Sequence, residues 1–333
     1  MSSVAAVADA GGAVPVIDVA DLQSEDIARR RAVAAAIGHA SATTGFFYIV
    51  NHGVAPAVID AAVDASRRFF AQPLAERMRI AVAKSNRGYT PLFDAVHGDQ
   101  KPDATEGFEL GFEDGTDAPP SGIARLVQAP NRWPALANFR EPVMQYYHAA
   151  LASSIRLLRG YALHFGVAED FFSRHFTRPV ADMRLAHYPV SDAVRQVSEF
   201  GTGAHTDHGI ITVLWQDDCG GLEVCLPDGR WAGVAPLPGS LVVNIGELMT
   251  RWTNGRLKST LHRVVNRSGR DRFSIPLFVH PNADTLVDPS HLPGVSETTR
   301  NYPPVISGEY LIERFSQYRA SWADKAATEA APA

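Results

Sequence analysis

From about Met183 to Pro281, short apolar and β-branched runs recur at intervals of roughly ten residues, each closed by Gly, Asp, Asn or Pro. The clearest are "ITVLW", "GLEVCL", "SLVVNIG", "LHRVVN" and "RFSIPLFVHP". These runs are short and turn residues bound each of them. That pattern confines this part of the chain to a β-sandwich or jelly roll.

The first half reads as mostly helical. "VPVIDVADL" is a short apolar strand, and Ser24 offers an N-cap, with Glu25 and Asp26 in the first turn of an Ala-rich helix running to Thr44. "GFFYIVNHGV" reads as a strand, and Pro56 to Phe70 as a second helix. The Gly- and Asp-rich stretch from Ser85 to Gly122 reads as irregular. Pro134 looks like the first-turn proline of a long helix whose apolar positions Leu136, Phe139, Val143, Tyr147, Ala150, Leu151, Leu158 and Phe165 would pack on a sheet. "EYLIERFSQYRASW" is a last amphipathic helix. The expected class is α+β: a double-stranded β-helix (jelly roll) core with flanking helices, one of them a long scaffold helix. The expected organisation is a disordered start (1–13), a helical and strand region (14–130), the scaffold helix region (131–182), the jelly-roll core (183–285), a C-terminal segment and helix (286–322) and a disordered tail (323–333). Both ends are poor in aromatic and β-branched residues.

Composition narrows the partners. The 333 residues, 46% hydrophobic and 20% charged, can bury a substantial core. A formal charge of −5, with no basic cluster interleaved with aromatics, points to small molecules and away from nucleic acid. The two cysteines, Cys219 and Cys225, have neither the number of a disulfide framework nor the spacing of a redox pair. No secretory leader and no span of about 18 apolar residues is visible, so a cytoplasmic protein that does not enter membranes is expected.

Candidate chemistry begins in "GAHTDHGIITVLWQDD". In extended backbone, residues i and i+2 share a side, so His205 and Asp207 could present an imidazole and a carboxylate to one ion. An H-x-D triplet alone equally fits an exposed loop edge. His262, on an apolar strand in "NGRLKSTLHRVVNRSGRDRFSIPLF", is either a core histidine bonded to a carbonyl or a third ligand. Two histidines and one carboxylate make the facial triad of non-haem Fe(II) oxygenases, leaving open positions for a co-substrate and O2. Arg272 and Ser274, two apart, could clamp one carboxylate, or Arg272 could form an ion pair at a sheet edge. A dicarboxylate bound to iron at one end and to Arg272 at the other accounts for both clusters. 2-Oxoglutarate is such a molecule.

With these residues the sequence resembles the isopenicillin N synthase-like family of Fe(II)/2-oxoglutarate-dependent oxygenases, over about residues 14 to 320. The resemblance rests on "VPVIDVADL", "GFFYIVNHGV", "NRGY", "NRWP", "MRLAHYP", "GAHTDHGIITVLWQDDCGGLEV", "NIGELMTRWTNGRLKSTLHRVVN" and "RFSIPLF", in the family's order. It implies His205, Asp207 and His262 as iron ligands, Arg272 and Ser274 on the distal carboxylate of 2-oxoglutarate, and Tyr188 beside that co-substrate. It also implies oxidation of a small molecule's C–H bond, hydroxylation by default, with succinate and CO2 as co-products. Where many members read Asn-Tyr-Tyr-Pro, this chain reads Ala186-His187-Tyr188-Pro189, which removes one contact to the co-substrate. His208, three residues from His205, should face away from the ion, at the pocket rim.

Some members with the same triad and Arg-x-Ser pair work without 2-oxoglutarate, the arginine holding the substrate's carboxylate instead. A metal-binding jelly roll without turnover is a further alternative. Strand parity places Pro276, Phe278 and His280 on the face of Arg272 and Ser274, and Arg184 and Ala186 on that of Tyr188. The resemblance puts Arg184, Phe278 and His280 around the substrate, with Phe108 and Leu110 of "EGFELGF" as further candidates. Arg184 and His280 would then favour a substrate bearing a carboxylate or phenol, packed on Phe278 and Phe108, unless Arg184 pairs with a core acid.

Overall fold

The structure is a computed structural model that describes residues 8–9, 14–82, 86–94, 101–113, 122–190, 194, 197–198 and 200–318. Fifteen strands are present among them: β1 Ala8–Asp9, β2 Val16–Asp18, β3 Phe46–Val50, β4 Gly88–Thr90, β5 Glu106–Gly111, β6 Pro179–Tyr188, β7 Thr202–His205, β8 Ile211–Gln216, β9 Leu222–Cys225, β10 Trp231–Gly233, β11 Leu241–Ile245, β12 His262–Val264, β13 Arg272–Asn282, β14 Leu286–Val287 and β15 Val305–Ile306. The helices are α1 Ile27–Thr43, α2 Pro56–Phe70, α3 Leu74–Met78, α4 Ala124–Val127, α5 Arg140–Phe165, α6 Glu247–Trp252 and α7 Ser307–Tyr318.

An eight-stranded sheet in the order β2-β3-β11-β8-β13-β6-β5-β4 faces a five-stranded sheet in the order β1-β10-β9-β12-β7. This is the expected jelly roll with flanking helices. While β2 at its edge exposes one face, the large sheet is buried on both faces through its central strands. Its outer side carries the main core, which α5 covers with Val143, Tyr146, Tyr147, Ala150 and Leu158, while its inner side faces the small sheet. The Tyr147 hydroxyl donates to Ala181 O of β6 at 2.8 Å, fixing helix to sheet. No described helix is long and apolar enough to cross a membrane.

Local chemistry departs from the sequence expectation in four places. The cap of α1 is Asp26, whose carboxylate accepts from Ala28 N at 2.8 Å, because Ser24 closes a separate turn by accepting from Asp26 N. The long helix begins at Arg140, six residues beyond Pro134, since Asn138 adopts a left-handed φ of 54° that a helix cannot pass through. It ends at Gly166, also left-handed. The stretch 85–122 is not wholly irregular: β4 and β5 lie in it and extend the large sheet from β6. Both faces of β5 are buried, so it shows none of the apolar-polar alternation by which a half-exposed strand is recognised. Ala8–Asp9 pairs in parallel with β10 inside the segment expected to be disordered, while the tail 323–333 lies outside the described residues.

Candidate metal and co-substrate site

The site lies between the two sheets. β7 and β12 run antiparallel with His205 and His262 as direct partners, so the two imidazoles stand side by side with ring centroids 4.3 Å apart. Asp207 follows the end of β7, and its Oδ1 lies 3.7 Å from the Nε2 of each histidine. The three ligating atoms fall within 4.8 Å of one another, a spacing one ion can bridge. His205 Nδ1 is bonded to Gly203 O at 2.8 Å and His262 Nδ1 to Thr260 O at 3.0 Å. A carbonyl can only accept, so each Nδ1 carries the proton and each Nε2 presents a lone pair to the gap.

The opposite sheet orients the carboxylate. Thr212 of β8 and Asn244 of β11, register partners, both donate to Asp207 Oδ2, leaving Oδ1 for an ion. Burial alone would raise the Asp207 pKa, but the His262 and His205 imidazoles and these two donors outweigh it and hold the group below the usual carboxylate range. Asp207 therefore stays ionised.

Arg272 opens β13 and is fully buried. Its Nε donates to Gly220 O at 2.7 Å, Nη1 to Ser274 Oγ at 3.1 Å and Nη2 to Gln216 Oε1 at 3.2 Å. All three acceptors are neutral, and among the described residues no carboxylate pairs with it. Tyr188, its register partner on β6, sets its ring 4.7 Å from the guanidinium carbon. An ionised group held dry without a counter-ion is strongly disfavoured unless an anion joins it. Arg272, Ser274, Tyr188 and the three metal-ligand candidates line one cavity of about 260 Å³, with Leu214, Leu222, Val264 and Phe46 as apolar walls. Ala186 stands opposite Ser274, where it adds no polar contact.

Arg184, Phe278 and His280 line the same cavity, as does His208, whose Nδ1 lies 3.8 Å from Glu247 Oε2. Two of them correct the charge expected there. Arg184 Nη1 is bonded to Glu109 Oε1 at 2.7 Å, the core-acid alternative, so its charge is compensated. Burial, and then the nearby His208, push the His280 pKa down to about 3, so it faces the cavity as a neutral ring. Phe108 and Leu110 are corrected outright. Both are fully buried in the main core on the far side of β5, Phe108 packed against Phe69, Trp133 and Phe139. Parity decides this, because Glu109 between them is the residue that reaches the cavity.

The sequence reading missed Glu109, Asp182 and Glu247. Glu247, first residue of α6, accepts from Thr206 and from Tyr310 of α7 and lies 3.3 Å from Arg314. It ties the metal-side loop to the C-terminal helix, which brings Phe315 to the cavity. An acid directly after Gly246, the glycine that follows β11, was the available signal for it.

Comparison with known proteins agrees with this geometry. Residues 14–136 match the family described as non-haem dioxygenase in morphine synthesis N-terminal, and residues 179–281 match the 2OG-Fe(II) oxygenase superfamily. The 2-oxoglutarate-Fe(II) type oxidoreductase hxnY of Emericella nidulans is 37% identical, covering 94% of this chain and 95% of that protein. Gibberellin 20 oxidase 2 of Oryza sativa is 34% identical, covering 92% and 77%. Among solved structures, a full-length Neurospora crassa protein crystallised in complex with alpha-KG and thymine superposes with a TM-score of 0.81 at 30% identity, covering 91% of this chain and 96% of that one. A 2OG-Fe(II) oxygenase family protein of Caulobacter crescentus gives 0.78 at 32%, covering 92% and 99%. With matched halves in order and relatives aligned nearly end to end, this chain belongs to the Fe(II)/2-oxoglutarate-dependent oxygenase family.

Proposed function

We propose that His205, Asp207 and His262 hold Fe(II), that Arg272 and Ser274 take the distal carboxylate of 2-oxoglutarate beside Tyr188, and that the enzyme hydroxylates a C–H bond of a small molecule placed against Phe278 and His280. The observation that carries this reading is the fully buried Arg272, which has only neutral partners and lines the same apolar-walled cavity as the His-Asp-His cluster. A dicarboxylate would serve both, one carboxylate for the ion and one for the guanidinium. Bound Fe(II), with 2-oxoglutarate and O2, supplies the oxidation of the C–H bond, and succinate and CO2 are the co-products.

The chain's own residues orient and exclude. Thr212 and Asn244 fix which Asp207 oxygen faces the ion. The Gly203 and Thr260 carbonyls fix the imidazole tautomers. Leu214, Leu222 and Val264 keep water from the co-substrate's carbon chain, which strengthens its pairing with Arg272. The substrate is a small organic molecule, in the class of the thymine and 5-formyluracil bound by the Neurospora crassa neighbour. Of the two characters expected from sequence, the carboxylate loses its support once Arg184 is paired with Glu109, whereas a phenol hydroxyl can still donate to the neutral His280 ring.

The test is anaerobic titration with Fe(II) and 2-oxoglutarate, followed by admission of O2 with candidate substrates. A visible charge-transfer band and substrate-coupled succinate are expected. O2 uptake without succinate would instead indicate an oxidase whose arginine holds the substrate's carboxylate.

A further inference from the structure

β5 reads Gly107, Glu109, Gly111 on its inner face, and the two glycines are there for space. A Cβ on Gly107 would sit 2.6 Å from Arg184 Nε, and one on Gly111 would sit 2.1 Å from Arg87 Nη2. Two guanidinium groups therefore lie flat on this strand, each against a carboxylate: Arg184 on Glu109, its register partner, and Arg87 on Asp182, both at 2.7 Å. Asp103 and Asp94 add negative potential around Arg184. The wall is polar but compensated. One guanidinium donor among the cavity-lining residues is left over: Arg184 Nη2 is buried and has no hydrogen-bond partner among the described residues. A buried donor in that state calls for an acceptor.

We propose that the substrate is recognised through an uncharged carbonyl oxygen, that of an amide, lactam or imide, accepting from Arg184 Nη2, and that Glu109 sets this preference by cancelling the guanidinium charge. The inference rests on the iron and 2-oxoglutarate assignment for the location of the reacting centre. A carboxylate at this place would face Glu109 and Asp182 in a cavity of low dielectric where, with Arg272 occupied, no uncompensated arginine or lysine remains among the described lining residues. A carbonyl gains the same hydrogen bond without that repulsion, so the wall selects by rejecting charge.

Benzamide and benzoate, alike in size, test the idea on protein loaded with Fe(II) and 2-oxoglutarate under nitrogen, with Arg272 occupied. Benzamide is expected to perturb the charge-transfer band at a Kd at least about tenfold below that of benzoate, the scale of one buried hydrogen bond or one unpaired charge. Glu109→Gln should invert the order by exposing the guanidinium charge, with 2-oxoglutarate affinity unchanged. Arg184→Met should lose benzamide without gaining benzoate, a second route should the first variant misfold. Saturation-transfer NMR on the metal-free Arg272→Met chain, in which no unpaired guanidinium competes for benzoate, reads the same preference, so absence of the band would sink the cofactor assignment while leaving this test standing. Preference of the wild-type protein for benzoate, binding of neither compound, or an unchanged ratio in Glu109→Gln overturns the proposal.

Discussion

Replacing Arg272 by Met separates what the guanidinium does for the fold from what it does for the ligand. In the ligand-free protein the change removes three hydrogen bonds to neutral acceptors, at about 1 kcal/mol each. It also removes a fully buried cation with no counter-ion, whose desolvation costs several kcal/mol. The second effect is at least as large, so ligand-free Arg272→Met is expected to match or exceed the wild type in chemical denaturation. Ligand binding moves the other way. Removing one partner of a buried, hydrogen-bonded charge pair costs about 2–5 kcal/mol, which at about 1.4 kcal/mol per decade weakens 2-oxoglutarate binding by a factor of roughly 30 to 4,000. Anaerobic titration of the charge-transfer band measures this directly, and thermal melts supply a control. 2-Oxoglutarate at about 100 times its wild-type Kd should stabilise the metal-loaded wild type by about 2.7 kcal/mol and the variant by no more than about 0.9 kcal/mol. A variant that unfolds without ligand, or that keeps 2-oxoglutarate affinity within about threefold of wild type, would refute the reasoning.

Two further outcomes follow from the same geometry. Asn244→Ala with Thr212→Val strips both donors from Asp207 Oδ2, and Fe(II) affinity by competition titration should fall about 10- to 100-fold while the fold persists; a loss below about threefold would mean that neither residue orients the carboxylate. His280, at about 3 in the folded chain against an ordinary 6.5, lets the unfolded chain bind the extra proton, so its contribution to stability is complete above about pH 6.5 and drains away as the pH falls toward 3. Metal-free wild type should therefore lose about 1.5 kcal/mol more than His280→Gln between pH 6.5 and 5, read as the difference in urea-denaturation slopes against pH, and parallel curves would show that His280 takes up its proton in the folded state.

The parts of this molecule legible in sequence are those in which one residue type does one job on a regular element. His205, Asp207, His262, Arg272 and Ser274 lie on or next to strands whose parity fixes their face, and each carries chemistry an apolar strand does not tolerate without cause. Pro276, Phe278 and His280 followed from the same parity and line the cavity. What escaped was written in long-range pairing. β5 has Phe108 and Leu110 on one face and Gly107, Glu109 and Gly111 on the other, and read alone either face could be the functional one. Phe108 and Leu110, expected as substrate contacts, instead supply the apolar area that the core under Phe69 and Phe139 requires. The small and charged residues were left for the inner face, where two arginines from β6 and the segment before β4 needed room and neutralisation and where Glu109 and Arg184 reach the cavity. A period-2 pattern of glycine and acid opposite one of apolar residues thus marks a strand buried on both sides, with a packed core behind it and a polar cavity wall in front. In "EGFELGF" that pattern puts Glu109, and not Phe108 or Leu110, on the cavity side, whereas its pairing with Arg184 is set by the β5–β6 register and is not written in the segment itself.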